Sequence, residues 1–260
     1  MIIFFRNLWD LVVSGKLRNF VVVNLCMFTG FFMDIDVVYE DNHLIVVNKR
    51  AGEIVQGDKS GDEPLVERVR QYIKETYAKP GNVFCGLVHR LDRPVAGLVV
   101  FAKTSKALSR MNELFRNGGV KKTYWAITRN DPPKPEERLT HWITTVERTN
   151  KSTAHSSPRS NAKEARLSYR LIGRSERYNL LEVTLETGRK HQIRVQLSAI
   201  GCPVRGDLKY GDKRSNPDGS ISLMARHIEF VHPVSKKLIS LTAPVPQGDP
   251  LWQAFNPDSK

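Results

Sequence analysis

Cysteine is scarce in this chain of 260 residues: Cys26, Cys85 and Cys202 stand far apart in the sequence. An odd count with no Cys-x-x-Cys and no regular Cys/His spacing argues against a disulfide framework and a structural zinc site. It fits thiols kept reduced in the cytoplasm. Long apolar runs are missing too. The nearest to one, Phe20 to Met33, is too short and too interrupted to cross a bilayer, and no small-residue cleavage pattern follows it. No long basic amphipathic helix suggests a membrane surface. There is no phosphate-cradling glycine loop with its lysine, no dinucleotide fingerprint and no internal repeat. Acidic residues are also in deficit, 27 against 40 basic, for a net charge of +13. That excess favours a polyanionic partner through phosphate contacts and counterion release.

The patterning that is present reads as alternating strands and short helices. Val37 to Asn48 suits two strands around the turn at residues 40–43. Pro64 to Tyr77 has helical period, with Leu65, Val69, Tyr72 and Ile73 on one face. Leu98 to Ala102 is a short continuous apolar strand. A helix then starts near Thr104 or Ser105, gathers Ala107, Met111, Leu114 and Phe115, and stops at Gly118-Gly119. These stripes are core positions rather than a cofactor box. Asn130 to Glu137, Thr149 to Asn161 and Gly211 to Ser220 read as polar loops. Ala165 to Ile172 and Tyr178 to Glu186 alternate like an antiparallel pair. His191 to Ile200 suits a short helix with Ile193, Leu197 and Ile200 inward and Gly201 as its stop. Strands outnumber helices and hairpins dominate, so the class is α+β with a mixed, mostly antiparallel sheet.

Two charged clusters stand out. His-Arg-Leu-Asp-Arg-Pro-Val-Ala-Gly, His89 to Gly97, sets Asp92 between Arg90 and Arg93, and such flanking charges favour an ionised acid. Spacing alone equally fits a surface turn with a local ion pair. The second cluster, Thr187-Gly-Arg-Lys-His-Gln-Ile-Arg194, lies far along the chain.

Together the two clusters resemble the signature of the RluA-type pseudouridine synthases, in which the aspartate of the His-Arg-Leu-Asp element is the catalytic residue. The resemblance runs from about Asp36 to about Pro246. Val37-Val-Tyr-Glu-Asp-Asn-His-Leu-Ile-Val-Val-Asn-Lys49 is similar to the family's opening hairpin, and Val120-Lys-Lys-Thr-Tyr-Trp-Ala-Ile127 to the motif that carries its active-site tyrosine. Gly188 to Leu197 resembles its arginine-bearing helix, while Leu223 to Pro233 and Leu241-Thr-Ala-Pro244 resemble its closing strands. The chain departs from the pattern at Val95-Ala96, where Thr-Ser is usual, at Arg50 for a proline and at Met224 for a histidine.

What the resemblance implies is a pseudouridine synthase fold with flanking helices and an RNA-binding cleft. Its reaction detaches uracil from ribose, rotates it and rejoins it through a ring carbon. The implied catalytic residues are Asp92, Arg194 as its ion-pair partner, and Tyr124 stacked on the flipped base. Arg90, Lys122, Arg189 and Gln192 are expected to touch the substrate. As a redox-neutral isomerisation the reaction asks for no cofactor and no metal. The expected partner is ribosomal or transfer RNA, with no membrane and no obligate protein partner, so that a monomer suffices. Residues 34–260 are expected to form the catalytic domain. Residues 1–33, which lie before every matching motif, are read as an N-terminal extension, with Met33 a candidate start. The different-class alternative is a non-catalytic RNA-binding or RNA-chaperone protein on the same fold. An intact set of Asp92, Tyr124 and Arg194 argues against it, because binding a polyanion does not call for an acid in the site.

Overall fold

Strand β4 (Ala96–Ala102) is buried at all seven positions, and β2 (Leu44–Lys49) beside it is nearly so. Both are written as unbroken apolar runs because both faces of the sheet are covered there. In the computed structural model, which describes residues 35–255, alternate residues serve two cores. Ile45, Val47, Val99 and Phe101 face one, and Leu44, Val46, Leu98 and Val100 face the other. Helices α1 (Leu65–Thr76) and α3 (Gln192–Ala199) supply Leu65, Val69, Ile73, Ile193 and Leu197 to the first core. Helix α2 (Ser105–Arg116) supplies Ala107 and Met111 to the second, and the short α4 (Pro250–Ala254) adds Trp252. Each fully buried aliphatic side chain contributes roughly 1.5–3 kcal/mol.

The remaining strands are β1 (Val37–Glu40), β3 (Gly86–Leu87), β5 (Val120–Thr128), β6 (Glu136–Val146), β7 (Lys151–His155), β8 (Lys163–Arg174), β9 (Asn179–Leu185), β10 (Leu223–Val231) and β11 (Leu238–Thr242). They form one sheet in the order β1-β2-β4-β10-β5-β9-β8-β6-β7, with β3 added to β4 and β11 to β10. Every pairing among the described strands is antiparallel except that of β4 with β10. The α+β class with a mixed, mostly antiparallel sheet and flanking helices is what the sequence patterning led one to expect.

The parallel junction positions the site. Gly97 of β4 lies opposite Ala225 of β10, and Ala225 lies opposite Tyr124 of β5. Gly97 has φ +111°, and a Cβ there would stand 2.3 Å from the Ala225 carbonyl oxygen. Only glycine allows that approach, and the approach is what brings the loop before β4 over Tyr124.

Two expectations are corrected. The Ser/Thr/Asn-rich stretch Thr149 to Asn161, read as a loop, contains β7, which pairs with β6 from Trp142↔His155 to Val146↔Lys151. Edge strands need few apolar residues, and the ladder decides the conformation. The proline-rich loop likewise yields to β6 at Glu136, whose Leu139 and Ile143 turn inward. The expectations for residues 1–33, and for Cys26 among them, lie outside the described residues.

Candidate active site

Asp92 sits in the turn between β3 and β4. Leu91 and Val95 anchor that turn in the core, and the Val95 amide donates to the Asp92 carbonyl at 3.1 Å. The backbone at Arg93 is held from a second direction. Its carbonyl accepts from the Gly52 amide at 2.8 Å and from Lys49 Nζ at 3.1 Å. Lys49 is fully buried and also donates to the Arg50 carbonyl; burial pushes its ammonium down to about 8. The Asp92 side chain is 30% exposed.

The charge beside Asp92 is not the one its neighbours in sequence suggest. Arg93 turns to Asp58, Ser60 and Asp62, and Arg90 is exposed; among the described residues neither pairs with Asp92. A side chain next in sequence within a turn points away from its neighbour, so proximity along the chain did not become contact. The partner is Arg194 of α3, whose Nη1 donates to Asp92 Oδ2 at 2.9 Å across 102 positions of sequence. Arg194 is 7% exposed and is itself gripped by Asp207, which is 1% exposed: Nε to Oδ2 at 2.7 Å and Nη2 to Oδ1 at 2.9 Å. Burial alone would lower the guanidinium. The hydrogen bonds and charge of Asp207, then of Asp92, instead carry it above its ordinary value.

Tyr124 is buried, and burial followed by the negative charge of Asp92 raises its phenol above the usual range. It borders a small cavity of about 90 Å³ with Asp92, Arg90, His191, Arg194 and Leu223. A wider groove of about 600 Å³ continues from Asp92 and Arg90 past Arg189, Lys190 and Lys209. Its mouth is thus rich in cations. His89 is not part of this lining. Its Nε2 accepts from the Val100 amide at 3.1 Å and its ring stacks on Phe115, so it braces the loop as a neutral ring. Lys122 lies over the Phe115 ring at 5.6 Å, half-buried, and burial lowers its ammonium.

The structure brings together Asp92, Tyr124 and Arg194, with Arg90 and Arg189 at the groove; Lys122 is half-buried on β5, two residues from Tyr124. Arg189 is exposed, and its Nε donates to the Glu164 carbonyl at 2.9 Å. Gln192 lines the small cavity too, with its amide engaged inside the protein. Its Oε1 accepts from Thr187 Oγ1 and the Arg189 amide, and its Nε2 donates to the Arg166 carbonyl. Three of its four hydrogen-bonding positions are spent inside the protein, so its amide also shapes the Thr187–Arg189 turn. Sequence reasoning missed Asp207, Tyr210, Ser152 and Lys49. None lies at a spacing that links it to Asp92, and only the Gly206-Asp207 turn hinted at a special position. Among the described residues no group of three or more His, Cys, Asp or Glu side chains is arranged to hold a metal ion. No helix among them is long and apolar enough to cross a membrane.

A buried arginine locked between two acids, with one acid facing a cavity beside a buried tyrosine, can hold that carboxylate in a fixed orientation toward the cavity. Residues 43–199 match the sequence profile described as RNA pseudouridylate synthase. The chain is 31% identical over 221 residues to ribosomal large subunit pseudouridine synthase C of Vibrio cholerae, covering 80% of this chain and 65% of that protein. It therefore spans just under two thirds of that relative's length. It is 29% identical over 242 residues to tRNA pseudouridine synthase C of Vibrio parahaemolyticus, covering 85% and 93%. A solved structure, human RNA pseudouridylate synthase domain containing 4, superposes with a TM-score of 0.68 at 26% identity over 82% of this chain and 89% of that one.

Proposed function

Since this chain belongs to the RNA pseudouridylate synthase family, we propose that it isomerises specific uridines of ribosomal or transfer RNA to pseudouridine, with Asp92 as the catalytic residue. The observation that carries this reading is the Asp92–Arg194 ion pair beside Tyr124 in one cavity. Asp92 supplies the carboxylate that forms a covalent intermediate or moves a proton. Arg194 pairs with it and orients it. Tyr124 stacks on the uracil, offsetting part of the cost of taking the base out of its stack. Arg90 fills the space the base leaves or holds the displaced strand, while Arg189 and Lys122 meet the phosphate backbone. The catalytic domain is read as residues 34–260. The buried, unpaired Cys85 and Cys202, whose thiols burial pushes up, suit the cytoplasm.

The test is release of tritium from RNA carrying uridine labelled at C5, since rejoining through C5 displaces that hydrogen. Wild-type protein should release it. Asp92→Asn keeps the shape of the side chain but not its charge, so it should lose turnover while RNA binding survives. Substantial turnover by a well-folded Asp92→Asn protein would remove Asp92 from its role. RNA binding without release by the wild type would favour the non-catalytic RNA-binding alternative.

A further inference from the structure

After Arg194, the group nearest to Asp92 is the imidazole of His191, whose Nε2 lies 3.7 Å from the same Oδ2. His191 precedes α3 with a left-handed backbone, φ +56°, and retains 8% exposure. Its other ring nitrogen, Nδ1, is 2.6 Å from the hydroxyl of Tyr210, also buried. That hydroxyl accepts from the Ser152 amide at 2.9 Å. With one lone pair of the phenol oxygen taken by the amide, the hydroxyl proton is free to be donated to Nδ1. An accepting Nδ1 carries no proton, so a neutral ring must carry its proton on Nε2, the nitrogen that faces Asp92. Burial first, then the charges of Arg194, Lys209 and Lys190, hold the ring neutral against the pull of Asp92, with its pKa down to about 4.

Resting on the uridine-isomerase reading, we propose that His191 is a positioning residue: the chain Ser152–Tyr210–His191 fixes its tautomer so that Nε2–H addresses Asp92 Oδ2 together with Arg194. Oδ1, which has no hydrogen bond among the described residues, is then the oxygen presented to the uridine. A neutral donor suits this place. Arg194 already supplies the charge, and a second cation would tie the carboxylate down, whereas an N–H orients it. The 3.7 Å separation exceeds a hydrogen bond, as catalytic contacts commonly do before substrate closes the site. The Tyr210 backbone is fixed for the task, since its carbonyl accepts from Ser198 Oγ of α3 at 2.6 Å.

The deciding measurement needs no substrate. Ring ¹⁵N spectra of the wild-type protein near neutral pH, with His191 assigned by its loss in His191→Gln, should show a protonated Nε2 and an accepting Nδ1. A protonated Nδ1, or an imidazolium, overturns the proposal. In single turnover, Tyr210→Phe should slow the reaction on the order of tenfold to a hundredfold, the cost of misplacing a reacting group, with RNA affinity unchanged. A folded Tyr210→Phe protein at the wild-type rate also overturns it. His191→Gln, which keeps a donor near the Nε2 position, should retain more activity than His191→Leu; equal loss in both overturns the donor role. If the wild type itself releases no tritium, the isomerase reading fails while the spectrum still decides the tautomer.

Discussion

Arginines meet acids in two regions of this molecule, with different consequences. On the outer face of β6, β8 and β9, Arg138 bridges to Glu186, Arg166 to Glu164 and Glu186, and Arg170 to Glu182. Arg170, at 61% exposure, is the most exposed of these residues. In the pocket, Arg194 at 7% exposure is held between Asp92 and Asp207. Exposed pairs are worth roughly 0–1 kcal/mol each, because water and salt screen them. Removing one partner from a buried pair costs about 3–5 kcal/mol, because the other charge is left uncompensated. The outer face also neutralises its own cations. Around the groove Arg90, Lys122, Arg189 and Lys209 face no acidic side-chain partner among the described residues. These cations leave the groove with positive charge that no ion pair among the described residues takes up, which suits a polyanion.

Arg194→Ala should break this comparison most sharply. With Asp207 stranded in the interior, denaturant unfolding should show a loss of about 3–5 kcal/mol. Whatever protein remains folded should have a severely reduced single-turnover rate on RNA, with a nearly unchanged salt dependence of binding. Weakened binding at an unchanged rate would make Arg194 a phosphate contact instead.

Acid should find the buried histidines before the outer face. His191 and His89 have folded values of about 4 and about 3, below the 6.5 of an unfolded chain, so the unfolded state binds more protons in between. Stability should fall as pH drops below about 6.5. Glu186, held below the usual carboxylate range first by its hydrogen bond to Arg138, adds its loss only at lower pH and weakly, being mostly exposed. Urea midpoints against pH should show the first window, and His191→Gln should flatten part of it while Arg138→Ala leaves it in place.

Smaller effects should come from the groove cations. Affinity for RNA should fall log-linearly with salt, and Arg189→Ala or Lys209→Ala should each reduce that slope by about one while leaving single-turnover chemistry near wild type. The smallest belongs to the outer face. Arg170→Ala should change unfolding free energy by less than about 1 kcal/mol and leave both rate and salt slope unchanged. A large effect there would mean that this face, too, meets the substrate.

Much of this was legible in the sequence, for a physical reason. Periodicity over a few residues reports which side of an element is buried, and that sufficed for β1 and β2, the three longer helices, and the α+β class. The likeness of the chain's motifs to those of a known family, rather than spacing, pointed to Asp92, Tyr124 and Arg194. Composition failed at β7, because an edge strand takes its conformation from the partner ladder and its polar residues face water or, like Ser152, the site. Local charge reasoning failed at Arg93, which a turn sends to Asp58 and Asp62. Only the tertiary structure decided which groups hold Asp92. Arg194, itself held by Asp207, and His191 reach it through the packing of α3, over separations at which one-dimensional spacing carries no information about distance. The sequence determined which acid, arginine and tyrosine this chain offers; the fold determined that the arginine is buried between two acids and that a histidine faces the same oxygen.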